Sequence, residues 1–411
     1  MHAREFATEV VRQLRSAGYE ALWAGGCVRD QLLGHTPKDY DVATSARPEE
    51  IRDVLGRRRT LAIGAAFGVI TVLGPPGAGN VEVATFRCDG TYSDGRRPES
   101  VTFSTAEFDA QRRDFTINGL FYDPLADRVI DYVDGQNDLV RQVVRAIGSP
   151  HERFAEDKLR LLRAIRFATT LGFAIESATL AAVQQLSGEL VVVSVERISA
   201  EMRRMLVHPR RAEALKLLLE SRLLATILPE AATLAAADGE PQWQNLLAML
   251  RQVHQPDFAT ALALVLKPFA NARQAAETCR RWKLSNEESE VVLHLLKNEP
   301  TIHAAPSVPW PTLQRVLIAP HVEELLTYCA AVERVQTGAT SGVDHCRHKL
   351  QLPPEELNPL PFLTGDDLQS LGFVPGPDFK RLLTALRDAQ LDKLVQSRDE
   401  AIAFVRGNAL S

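Results

Sequence analysis

The chain has 411 residues, more than one ordinary hydrophobic core accommodates, so about two to four domains are expected. Apolar content of 45% and charged content of 24% are those of a soluble globular protein, and no apolar run approaches the ~20 residues of a membrane span. A net charge of −5 argues against a uniformly basic nucleic-acid binder, yet 13 Lys/Arg and 9 Asp/Glu fall between Arg141 and Glu220, a locally positive stretch suited to RNA or simply to a solvated helical face.

The first 17 residues read as an amphipathic helix without the features of a signal peptide. The cysteines (27, 88, 279, 329 and 346) are odd in number and lack metal-type spacing. Reduced thiols and a cytoplasmic location are therefore expected. Strand signals follow in ALWAG, DYDVAT, GVITVLG, NVEVATF, RVIDYV and VVRAIG, with helical CVRDQLLG, PEEIRDVLG and TAEFDAQRRD between them. GPPGAGN at 74–80 is a turn between two strands. After Pro150 the chain reads as helix after helix. The predicted fold class is α+β: a head at 1–148, a helical neck at 149–230, and a helical body and tail at 231–411.

The chemistry concentrates in the head. Gly25 and Gly26 follow a strand and open a helix, a plausible phosphate cradle because helix N-termini present free N–H groups to anions. Thirteen residues past Gly26, Asp39 begins an Asp-x-Asp pair with Asp41. Residues two apart on a strand share a face, so the two carboxylates repel unless a divalent cation lies between them. Mg²⁺ is commonly held by one or two carboxylates plus substrate phosphates. Glu82, in the middle of NVEVATF, is a candidate for a third acidic position beside that pair; by itself it is an ordinary solvent-facing strand residue. Two metal ions about 3.5–4 Å apart hold the attacking and leaving oxygens of a phosphoryl displacement. Together these features suggest nucleotidyl transfer.

Residues 87–98 are Gly-rich and charged and read as a mobile loop. Arg112, Arg113 and Asp114 then close a helix: the arginines suit a triphosphate, the aspartate a ribose hydroxyl, while a dipole-favoured Arg cluster is the plainer reading. In FAEDKLRLLRAIRFATTLGF, Asp157 and Arg160 stand three apart on an expected continuous helix, and Arg163 and Arg166 continue at the same spacing. A surface ion pair is one reading of Asp157 and Arg160. The other is base recognition. Cytosine and adenine each present an amino donor beside a ring-nitrogen acceptor, so a carboxylate next to a guanidinium accepts both and rejects guanine and uracil. DHCRH at 344–348 lacks a convincing metal pattern and reads as a helix turn.

AGGCVRD, KDYD, RRDFTING, IDYVDGQNDLVRQVVRAIG, EDKLRLLRAIRFA and SVERISAEM stand in the order found in the class II tRNA nucleotidyltransferases. The chain resembles that family, which includes the CCA-adding enzymes, their A-adding and CC-adding relatives and bacterial poly(A) polymerases. The resemblance spans residue 20 to about 230 and extends to the tail, weakest between about 230 and 355. It implies a polymerase-β-like head and template-independent addition of C and A from CTP and ATP to the tRNA 3′ end. It further implies Mg²⁺ on Asp39 and Asp41 with Glu82 as a further acidic position, and Gly26 and Arg29 on the triphosphate. Arg113 and Asp114 would contact the nucleotide, Asp157 and Arg160 would read the base, Arg163 and Arg166 would complete the site, and Glu196 and Arg197 would support the base-reading helix. Cys27 and Gly119 replace commoner alanines, and Lys158 stands where proline is frequent. The full-length loop at 87–98 disfavours a CC-adding enzyme, and uncharged AIGAAFGVITV disfavours a dedicated poly(A) polymerase. A-only addition, transfer to a small molecule and a non-catalytic RNA-binding protein are the competing readings. Either a monomer or a homodimer is compatible with the sequence.

Overall fold

The computed structural model describes residues 1–89, 101–235 and 240–408, so most of the loop expected at 87–98 lies outside the described residues. Two compact units emerge, Met1–Thr233 and Leu234–Ser411, and the expected head and neck both lie in the first.

The first unit opens on α1 (Ala3–Ser16), whose Phe6, Val10, Val11 and Leu14 form the buried stripe of an amphipathic helix. Then come β1 (Ala21–Ala24), α2 (Gly26–Leu32), β2 (Asp41–Thr44), α3 (Pro48–Leu55), β3 (Thr60–Leu61), β4 (Val69–Leu73) and β5 (Asn80–Thr85). They are followed by β6 (Arg87–Asp89), β7 (Val101–Phe103), α4 (Ala106–Gln111), β8 (Phe121–Asp123) and β9 (Arg128–Ile130). Seven strands form one sheet in the order β3-β4-β5-β2-β1-β8-β9, while β6 and β7 make a separate hairpin. Within the seven-stranded sheet β2 and β5 are the parallel pair; its other pairings are antiparallel. Gly74 heads the β4–β5 turn, where an added Cβ would lie 1.9 Å from the Gly79 carbonyl.

In the head, three elements differ from the sequence expectation. The strand expected from Asp39 begins at Asp41, so Asp39 belongs to the approach to β2 and not to the strand. VVRAIG supplies only the two-residue β10 (Val143–Val144), paired in parallel with β11 (Ala174–Ile175) outside the main sheet. The helix expected through Asp114 stops at Gln111. Strands β3 and β8 show no sequence signal because two or three residues are too few to display alternation.

The head closes with α5 (Gly135–Arg141), and the neck is built from α6 (Pro150–Glu156), α7 (Leu159–Leu171), α8 (Ser177–Leu186), α9 (Val195–Leu206) and α10 (Arg211–Glu220). Helix α7 buries Leu159, Leu161, Leu162 and Ile165 and packs against α9 and α10. The expected continuous helix is broken at Asp157, whose backbone is extended (φ −146°, ψ 106°). Its carboxylate accepts from the Leu159 N–H at 3.0 Å, a local side-chain-to-backbone bond that competes with helix continuation and starts α7 afresh.

From Glu240 onward the described elements are helical. Helix Phe258–Leu266 is buried along its whole length and packs on Asn286–His303 and Val322–Thr337. A second apolar cluster near the C-terminus gathers Leu363, Leu368, Leu382, Leu386, Val395 and Val405. Among the described residues no helix is long and apolar enough to cross a membrane.

Candidate active site

The turn from β1 into α2 needs glycine at its first position. Gly25 has φ +75°, and an added Cβ would lie 2.8 Å from Arg113 Nη1. One turn into α2, Arg29 donates from Nη1 to Asn118 Oδ1 at 2.7 Å and from Nε and Nη2 to Asp30 at 2.8 and 2.6 Å.

Parallel pairing of β2 with β5 sets Asp41 directly beside Glu82. Both are exposed, as is Asp39 two residues before Asp41. Among the described residues none of these three carboxylates makes a side-chain hydrogen bond or ion pair. Asp41 keeps accessible surface but is crowded by protein at the cleft wall, and it is pushed up to about 6, chiefly by the thinned hydration there and then by the Glu82 carboxylate, with Arg113 opposing and Asp39 adding. An edge where carboxylates crowd together and Asp41 is raised suits a divalent cation. It is not a ready-made cage: among the described residues no three His, Cys, Asp or Glu side chains are grouped to hold a metal, so Glu82 does not complete a three-carboxylate site, and DHCRH, on helix Ser341–Leu350, forms none either. Asp39 and Asp41 with substrate oxygens would match the ordinary Mg²⁺ pattern.

Asp41 also lines an arginine-rich cleft, in which the other carboxylates are already paired with arginines. Asp109, 1% exposed, holds both Arg112 (2.7 Å) and Arg113 (2.9 Å) from one turn away on α4. Asp114 accepts from the Phe115 N–H at 2.8 Å, from Asn118 Nδ2 at 3.0 Å and from Arg163 Nε at 2.8 Å. Burial alone would raise the Asp114 carboxyl, but Arg163, Asn118 and Arg160 outweigh it and hold it at about 2. Arg197 on α9 forks onto Asp157 at 3.1 and 2.7 Å. Arg160 donates to the Arg153 and Arg112 carbonyls, each at 3.0 Å, and to Glu156. Arg166 pairs with Glu201, which also receives Arg204 at 3.2 Å.

One pocket of about 620 Å³ brings together Gly25, Gly26, Arg29, Asp41, Arg112, Arg113, Asp114, Asp157, Arg160 and Arg163, with Asn118, Phe167, Arg197 and Arg204. Asp39, Glu82 and Arg166 are not among its walls. Asp157 and Arg160 both face it, but their side chains do not pair with each other; the helix break gives Asp157 to Arg197 and leaves Arg160 with Glu156. Arg163 braces Asp114 and does not pair with Asp157.

Five participants escape a reading of the sequence. Asp109 had a usable signal, since it stands three and four residues before the two arginines. Glu201 stands four residues after Arg197 on α9 and its partner is on α7, so pairing, not spacing, identifies it. Arg204 reads as an exposed helix residue, Asn118 as a turn residue and Phe167 as ordinary core.

A glycine turn, an unpaired acidic strand edge and an arginine-lined cleft on a small mixed sheet define a nucleotidyltransferase. The Poly A polymerase head domain family matches residues 21–145, the "Probable RNA and SrmB- binding site of polymerase A" matches 172–234, and a second-domain family of tRNA nucleotidyltransferases matches 255–405. The chain is 36% identical over 389 residues to the CCA-adding enzyme of Lacticaseibacillus paracasei, covering 92% of this chain and 90% of that one. It is 34% identical to the CCA-adding enzyme of Geobacillus kaustophilus, covering 97% and 95%. The crystal structure of the Bacillus stearothermophilus CCA-adding enzyme in complex with CTP superposes with a TM-score of 0.78 at 29% identity, covering 98% and 97% of the two chains. The protein belongs to the CCA-adding enzyme family of tRNA nucleotidyltransferases.

Proposed function

We propose that this protein adds C and A nucleotides from CTP and ATP to the 3′ end of tRNA, without a nucleic-acid template, releasing pyrophosphate. The observation that carries the reading is that Asp41 and the Asp157–Arg160–Arg197 corner line one cleft of about 620 Å³. Catalytic carboxylate and base-reading groups thus face the same volume.

Asp39 and Asp41 would hold Mg²⁺, which supplies charge neutralisation at the α-phosphate and acidifies the attacking 3′-hydroxyl. Glu82, in register with Asp41, adds negative charge that favours the cation. The Gly25–Gly26 turn lets the nucleotide approach the backbone closely, and Arg29, Arg112 and Arg113 present guanidinium groups to the triphosphate.

Base choice follows from hydrogen-bond capacity. A carboxylate has about four acceptor positions. At Asp157, Oδ1 takes Leu159 N–H and Arg197 Nη1, and Oδ2 takes Arg197 Nη2, which leaves Oδ2 one position for an exocyclic amino group. Arg160 has Nε–H and one Nη2–H left after its three protein bonds, donors for a ring nitrogen. Cytosine and adenine fit this amino-plus-acceptor edge; guanine and uracil place a carbonyl against Asp157.

The test is incubation with tRNA transcripts ending before C, after C and after CC, with each nucleoside triphosphate separately and with Mg²⁺. Stepwise C, C, A addition with GTP and UTP refused is expected. Addition of A to CC ends alone would show an A-adding enzyme, and no addition to any end would remove the proposal.

A further inference from the structure

Phe167 lies on α7 with 6% of its surface exposed, at the back of the nucleotide cleft. Three guanidinium groups surround its ring: Arg29 at 5.2 Å, Arg163 at 5.3 Å and Arg166 at 3.8 Å from the centroid. Arg29 comes from α2 in the head, the other two from α7 in the neck. Phe115 meets the ring edge-on at 5.7 Å. Three like charges converging in a partly desolvated site repel one another. Each is also held by polar partners: Asp30 and Asn118 for Arg29, Asp114 for Arg163 and Glu201 for Arg166. What the three share is the aromatic ring, whose negative face attracts cations.

We propose that Phe167 is a positioning residue for nucleotide binding, its π-face gathering Arg29 of the head and Arg163 and Arg166 of the neck into one array behind the nucleotide. An aliphatic side chain of equal bulk would fill the same space but would not offset the repulsion. The arginines would then relax apart, and the array would have to be reassembled each time a nucleotide binds. Because the ring acts on the arginines and not on the base edge, CTP and ATP depend on it equally, and base choice does not depend on it. The inference rests on the reading that this cleft takes nucleoside triphosphates.

The test replaces Phe167 by mono-, di- and trifluorinated phenylalanines, which keep its shape while weakening the negative face stepwise, with Phe167→Leu as the end point. Dissociation constants for CTP and ATP are measured by calorimetry, and transfer at saturating nucleotide beside them. Expected is a graded, parallel loss of affinity for both nucleotides, reaching roughly three- to thirtyfold, with saturated turnover changed by less than about threefold. Affinity constant within about twofold across the fluorinated series, in a protein that binds CTP and ATP normally, overturns the proposal and makes Phe167 core filler. Unsubstituted protein that binds neither nucleotide refutes instead the functional reading on which it rests.

Discussion

The acidic edge of the head and the arginine cleft beside it handle charge in opposite ways. Asp39, Asp41 and Glu82 stand exposed with no ion pair among the described residues, and loss of hydration first, then the Glu82 carboxylate, raises Asp41 to about 6. In the cleft Asp109, Asp114, Asp157 and Glu201 are each matched to arginine, and Asp114 is held at about 2. An unpaired cluster must recruit charge from outside, whereas a paired one is preorganised and selects by the few donor and acceptor positions left over. On the proposed function, the same sheet and neck would therefore present to one substrate an edge that recruits a cation and a reading surface that does without one.

The largest expected effect comes from breaking the edge. Asp39→Ala and Asp41→Ala should each lower nucleotide transfer roughly 10³-fold, the scale of lost electrostatic stabilisation at a transition state, while thermal stability is unchanged or rises because repulsion is relieved. Single-turnover CMP incorporation and calorimetric melting check both halves. A melting temperature that collapses would show that the edge is structural.

Next in size is the reading surface. The double variant Asp157→Ala/Arg160→Ala should let GTP and UTP compete, shifting the C/A-over-G/U preference by roughly ten- to a hundredfold, or about 1–3 kcal/mol of lost discrimination. Retained exclusion of GTP and UTP in a folded variant would place base readout elsewhere.

Asp114 tests how much the paired region contributes to stability. Its shift to about 2 from an ordinary carboxylate value corresponds to about 2 kcal/mol. Because the folded value is depressed, this stabilisation is full above about pH 4 and is lost as pH falls through about 2. Asp114→Asn should lower unfolding free energy by about that amount at pH 7 and flatten the acid limb of the stability curve, as followed by urea titration.

The smallest effect concerns Asp41 and protons. Its raised value means that the uncharged form is favoured, so its unfavourable contribution to stability is absent below about pH 4 and grows as pH rises through about 6. A cation competes with that proton, so metal affinity should fall by up to about tenfold per pH unit below 6. Titration calorimetry between pH 5 and 8 gives the slope, and a flat profile would remove Asp41 from the metal site.

Much of the head could be read from sequence because its alternating strands, Gly-Gly turn and Asp-x-Asp pair are short-range patterns. The pairing of side chains could not. Asp157 and Arg160 have the spacing of helix neighbours, but a carboxylate that bonds the Leu159 N–H breaks the helix and sends Asp157 to Arg197, 40 residues away. Asn118 joins Arg29 to Asp114 across a fold-level contact that no local pattern encodes. Phe167 has the hydrophobicity and periodicity of any core residue, and it is the fold that brings three guanidinium groups around it.

Parallel measurement of CTP binding and CMP transfer in Asp41→Ala tests the division of labour most directly. Binding within about fivefold of the unsubstituted protein, together with transfer reduced roughly 10³-fold, is the predicted result, since the paired cleft reads the nucleotide without the acidic edge. Loss of CTP binding in step with loss of transfer would contradict it and would make the edge and the cleft a single, inseparable site.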